Sequence, residues 1–179
     1  MPLSPAAQRF LAGPLLSETD EEARVGLSKV LRETIAPAGA SLIAQGVPND
    51  RLWFLIEGSA EIVRIQGGED KLIARIEAPG IFGATTFFRP GGVGATVSIR
   101  TTTPVTLLTL DHEGHDRLRR EQPRAAESLA LATIRVLAER FDQIDLRVTE
   151  YIASHADDHP RSNEWAGFRA RLFGEPNII

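Results

Sequence analysis

Cysteine is absent from this chain. That excludes a disulfide, a thiolate zinc site, a Cys-ligated iron–sulfur cluster and a cysteine nucleophile, and leaves the compartment unreadable from thiol chemistry. Long apolar runs are missing too. Nothing approaches the roughly 20 residues a membrane-spanning helix needs, and the opening text MPLSPAAQRFLAGPLLSETDEE lacks a basic start followed by an apolar stretch of signal-peptide length. A cytoplasmic protein with no membrane contact is expected. Positive charge is also short: 20 Lys and Arg stand against 24 Asp and Glu, a formal net charge of −4. Such a chain has no general attraction for nucleic acid, so DNA is not an expected partner.

What is present reads as an ordinary globular protein. Hydrophobic residues make up 42% and charged residues 25%, which fits neither disorder nor a membrane protein. With 179 residues the chain can bury one sizeable core without covalent staples.

Four segments follow one another: a Pro-containing leader over 1–16, a body over 17–122, a long helix over 123–153 and a tail over 154–179. The body is expected to start with a helix over 17–35, with Ser17 as cap, acidic residues in its first turn, and Val25, Leu27, Leu31 and Ile35 as a partial apolar stripe. From Ile35 to Leu110 the period becomes strand-like. SLIAQG, RLWFLIEG, SAEIVRIQ, KLIARIEA, GATVSIRT and PVTLLTL are separated by turn text such as VPND, QGGED and RPGGVG. Short strands at this spacing predict an α+β, mainly β fold: an eight-stranded β-roll, or jelly roll.

Helix returns after Asp111, the expected cap of a short helix, and Pro123 opens a longer one where its missing N–H costs nothing. Ile134, Leu137, Phe141, Ile144, Val148 and Tyr151 recur along it at spacings of three and four. The narrow stripe, flanked by charges, predicts a homodimer seam; a helix lying on its own barrel is the alternative. In the tail, Asp157, Asp158 and Pro160 break the helix. Trp165, Phe168, Leu172 and Phe173 then form an amphipathic turn or two, which either folds back on the body or docks on another protein.

Helix, roll, short helix and long helix, in that order, resemble the cyclic nucleotide-binding domain of the cyclic-AMP receptor protein and its relatives over about residues 15–148. The residues that carry the resemblance are PAGASLIAQG, LWFLIEGSAEIV and APGIFG, with their glycines at roll corners, and the frame from Phe82-Gly83 to Ala95-Thr96-Val97. In that family a cassette similar to FGE…PRxATV is the pocket. The resemblance implies that amides of a short helix and one arginine hold a cyclic phosphate, while a glutamate takes the ribose 2′-hydroxyl. Here Ala84 stands at the glutamate position, Val93 at the arginine and Gly92 at the preceding proline.

Losing two hydrogen bonds to charged groups, each worth roughly 1.5–3 kcal/mol, weakens binding by about 3–6 kcal/mol, on the order of a hundredfold to ten-thousandfold. An apolar valine beside a desolvated phosphate pushes the loss towards the upper end. The residues left to line a degenerate pocket are Phe82, Gly83, Ala84, Thr85, Thr86, Val93, Ala95 and Thr96, with Phe87 and Phe88 as added bulk. Arg89 is a candidate substitute cation, and Arg140 and Phe141 fall near the family's base-capping positions. The alternative to a swinging Arg89 is a solvated loop residue, with the threonines serving their own backbone.

Jelly rolls also host metal-dependent enzymes, which need inward-facing histidines alternating on a strand. His112, His115, His155 and His159 all lie outside the expected strands, and no nucleophile elbow, Walker loop or zinc-protease signature occurs. A non-enzymatic protein without metal or cofactor is therefore expected. Many relatives continue into a DNA-reading helix-turn-helix, whereas only 179 − 148 = 31 residues follow Val148. Two readings remain open: a dimeric regulatory module that engages a protein partner, and a sensor that still binds a cyclic nucleotide or another anionic ligand and signals through the long helix.

Overall fold

The computed structural model describes the backbone of residues 3–17, 19–89 and 91–154, with side chains up to 150. It separates into two compact units, Met1–Ile134 and Arg135–Ile179. In the first, helix α1 (Pro5–Leu11) and a 3-10 turn (Pro14–Leu16) precede α2 (Glu21–Val30). Eight strands follow: β1 (Arg32–Ala36), β2 (Ser41–Ile43), β3 (Arg51–Glu57), β4 (Ser59–Gln66), β5 (Glu69–Glu77), β6 (Gly80–Phe82), β7 (Ser98–Thr101) and β8 (Val105–Asp111). A single turn of helix, α3 (Ala84–Phe87), lies between β6 and β7, and α4 (His112–Glu121) leads into α5 (Pro123–Ser154). The eight-stranded roll with helices before and after it is the fold the strand spacing predicts.

The strands form two antiparallel sheets, ordered β1-β8-β3-β6 and β2-β7-β4-β5. Strands β3 and β8 are near-continuous apolar runs because their sheet is covered on both faces. Leu52 and Phe54 pair with Leu110 and Leu108 and are fully buried. Phe54 meets Phe10 of α1 edge to face at 5.9 Å. The alternate residues Leu55 and Leu107 face the other way, into a core shared with Ile43, Ala60, Phe82 and Ile99. Burying apolar side chains on both faces of one sheet is the main stabilising term of the unit.

The expected helix over 17–35 is shorter. Asp20, not Ser17, caps it, its carboxylate accepting from the Ala23 N–H at 2.7 Å. Leu31 is already extended, and Ile35 sits on β1, 76% exposed and paired with Thr106. An edge strand takes its hydrogen bonds from β8, which no local pattern announces. Part of the leader is also structured. Ser4 caps α1 with Pro5 at its first position, and Ala7, Phe10, Leu11 and Leu16 are buried. Asp111 caps α4 as read, accepting from the Gly114 N–H at 2.8 Å, and Pro123 opens α5. At the start of α5, Ala125, Leu129 and Ala132 form a buried face.

Phe54→Ala is expected to cost about 3–5 kcal/mol in urea unfolding, whereas Ile35→Ala should stay within about 0.5 kcal/mol. Equal effects at the two positions would contradict this division between core and edge.

Candidate functional site

Strand β6 ends at Phe82, and the chain then turns through Gly83, whose φ of +84° lies in the left-handed region. A Cβ here would come within 2.7 Å of the Arg51 carbonyl oxygen and 2.9 Å of Trp53 Cδ1. Glycine is therefore required twice, by conformation and by close approach. The gap is sealed by Asn49. Its Nδ2 donates to the Arg51 carbonyl at 2.6 Å and to Thr86 Oγ1 at 3.0 Å, and its Oδ1 accepts from Trp53 Nε1 at 2.9 Å. The Thr86 hydroxyl in turn donates to the Gly83 carbonyl at 3.0 Å. Trp53 stacks on Phe82 at 6.0 Å. These bonds tie β3, β6 and α3 into one corner.

Helix α3 begins at this corner. The N–H groups of Phe87 and Phe88 donate to the Gly83 and Ala84 carbonyls at 3.0 and 3.1 Å. Ala84, Thr86 and Phe87 are buried, whereas Thr85, Phe88 and Arg89 are exposed. Opposite, the return segment is held by backbone. The Gly46 N–H donates to the Ala95 carbonyl at 2.7 Å, and the Ala95 N–H to the Val47 carbonyl at 2.9 Å. Gly94 passes so close that a Cβ would stand 2.4 Å from the Gly46 carbonyl oxygen. The side-chain amide of Gln45 acts as an extra strand residue, accepting from the Ile65 N–H at 2.7 Å and donating to its carbonyl at 3.2 Å. Ala95 is buried, while Val93 is 41% exposed and Thr96 is exposed.

Of the residues singled out in the sequence, the structure joins Phe82, Gly83, Ala84 and Thr86 at one corner and fixes Ala95 to the 45–48 loop. Val93, Thr85, Thr96 and Arg89 point to solvent. Arg140 lies on α5 in the second unit, half-buried, and burial lowers its pKa. Ile134, Leu137, Phe141 and Ile144 are 59%, 36%, 51% and 60% exposed along α5. Trp165, Phe168, Leu172 and Phe173 lie outside the described residues, as does the side chain of Tyr151.

Asn49, Trp53 and Gln45 were not legible as site residues, because the partners that place them, Gly83 and Thr86, Phe82, and Ile65, lie 20 to 37 positions away. Chemically, the corner offers the start of α3, an indole stacked on a phenyl ring, and a hydroxyl committed to its own backbone. Ala84 and Val93 carry no charge. Among the described residues no group of three or more His, Asp or Glu side chains is placed to hold a metal ion, and no helix is long and apolar enough to cross a membrane.

Comparison with known proteins agrees with this geometry. A family model described as the cyclic nucleotide-binding domain matches residues 33–122. A CRP-like cAMP-activated global transcriptional regulator of Mycobacterium tuberculosis is 28% identical over 134 residues, 74% of this chain and 57% of that protein. The chain thus spans a little over half the length of this relative. A cyclic nucleotide-binding domain from Methylobacillus flagellatus superposes with a TM-score of 0.72 at 18% identity, covering 84% of this chain and 88% of the other. The N-terminal domain of a transcriptional regulator from Streptomyces coelicolor gives 0.61 at 26% identity, covering 78% and 96%.

Asn49→Ala leaves Trp53 Nε1 and the Arg51 carbonyl without their partner and is expected to lower stability by about 1–3 kcal/mol, nearer the lower figure because water reaches this half-buried group. Chemical denaturation showing a loss below about 0.5 kcal/mol would mean the corner does not depend on this side chain.

Proposed function

Since the chain belongs to the cyclic nucleotide-binding domain family, we propose that it is a non-enzymatic, dimeric regulatory module that engages a protein partner and keeps the ligand cassette as scaffold. One observation carries this reading. The two positions where the family resemblance implies a ribose-binding carboxylate and a phosphate-binding arginine hold a buried methyl group, Ala84, and an exposed valine, Val93. Around them the frame is complete, held by Gly83, Asn49, Thr86 and the backbone pairs at Gly46 and Ala95. A cassette stabilised by its own protein contacts needs no guest to stay folded.

The dimer rests on α5. Ile134, Leu137, Phe141 and Ile144 recur at three- and four-residue intervals and expose apolar surface, the arrangement by which two helices bury a shared seam. The aromatic residues of the tail, or the surface of the roll, are proposed as the partner contact.

A second reading, a sensor that still takes an anionic ligand, is favoured by the exposed Arg89 directly beyond α3 and by the N–H groups at its start. Calorimetry with cyclic AMP, cyclic GMP and cyclic dinucleotides separates the two. The scaffold reading expects no saturable binding tighter than about 10 μM. Tighter binding that is lost on Arg89→Ala would establish the sensor.

Leu137→Asp with Phe141→Asp is expected to turn a dimer into a monomer in sedimentation. A dimer that survives both changes would put the interface elsewhere.

A further inference from the structure

The C-terminal end of α3 is held by rings. Phe87, 2% exposed, lies flat against the imidazole of His112, the ring centroids 4.4 Å apart and the planes within 1°. His115, one turn further along α4, meets Phe87 edge to face at 5.5 Å and Phe88 at 5.6 Å. The two phenyl rings are themselves perpendicular at 4.9 Å. Four rings from two helices thus form one cluster. Beyond it the chain enters a loop where Gly91 and Gly92, both with left-handed φ, have open space around them. The cluster is therefore the last fastening of α3 before that loop.

An imidazole that can take a proton, that of His115, sits among these rings, an arrangement that a purely structural apolar contact does not require. We propose that His115, with His112, Phe87 and Phe88, is a proton-operated latch between α3 and α4: closed while the His115 ring is neutral, opened when it becomes charged. A neutral imidazole packs among phenyl rings as an apolar group. An imidazolium there must give up part of its hydration, and on α4 Arg119 and His112 disfavour its charge while Asp116 favours it. The adjoining elements carry Lys29 on α2, Arg32 on β1, Arg51 on β3 and Asp111 at the end of β8. Arg32 is paired with Asp111 at 3.9 Å and Arg51 with Asp50 at 3.6 Å. Arg89 follows Phe88 directly, adding positive charge to the chain on the α3 side.

Burial, first, and then Arg119 hold the His115 pKa below its ordinary value of 6.5. A depressed histidine pKa means that the closed form binds the proton more weakly than the open one. Its stabilisation is complete above pH 6.5 and is lost as pH falls from there through the lower folded value.

The test is a nuclear magnetic resonance titration of the full chain from about pH 7.5 to about pH 5, following the His115 ring and the backbone amides of residues 86–89. The latch predicts a His115 midpoint below 6.5, the same midpoint in those amides, and removal of their step by His115→Phe, which keeps a ring but takes no proton. Amides that stay flat while His115 titrates, a midpoint at or above 6.5, or a step that persists in His115→Phe would each overturn it. The wild-type titration alone decides the matter if the variant does not fold.

Discussion

The backbone at Gly83 runs against the Arg51 carbonyl and the Trp53 indole with no room for a Cβ, and the rest of the site follows from that approach. Because the chain must turn through a left-handed residue there, α3 starts at a fixed angle from β6. Thr86 then falls within reach of both Asn49 and the Gly83 carbonyl, and Phe87 is carried onto the imidazoles of α4. Replacing the glycine would impose strain and a clash together, and neither could be relieved without moving β3, a strand buried on both faces of its sheet.

On the reading proposed above, that constraint explains how the cassette keeps its shape without ligand groups at Ala84 and Val93. The resemblance implies that a nucleotide is held by a carboxylate, a guanidinium and amides. Ala84 and Val93 stand at the positions where the resemblance implies the first two, while the fold of the corner is provided by Asn49, Trp53, Thr86 and the glycine pair Gly46 and Gly94. On that reading, the residues that fold this corner are not those the resemblance implies for binding. The second set can be lost without the first, and a binding chamber can persist as a rigid surface.

Much of the fold was legible in the sequence because its signals are local. β3, β4 and β8 are apolar runs bounded by Gly and Pro, and Asp111 and Pro123 mark helix starts by their own chemistry. The Ser4-Pro5 signal before α1 is of the same kind, a cap followed by a residue that needs no N–H, but it lies in the segment expected only as a leader. What could not be read depends on distant partners. β1 exists because β8 supplies its hydrogen bonds, so RETIA read as the end of a helix. Ser17 reads as the cap, yet it closes the preceding 3-10 turn, its N–H taken by the Pro14 carbonyl, and Asp20 caps α2 instead. That Ala84 and Val93 stand where the resemblance implies a glutamate and an arginine follows from the family's cassette, but the role of Asn49 was not legible, since its partners at Gly83 and Thr86 arrive from across the fold.

Native-state hydrogen exchange at the Phe87 and Phe88 amides tests most directly whether the corner is folded by its own contacts. In protein free of nucleotide, both amides should be as protected as those of β3 and unchanged by about 1 mM cyclic AMP, well above the roughly 10 μM limit for specific binding. Exchange close to that of an unfolded chain, slowed when cyclic AMP is added, would contradict the account.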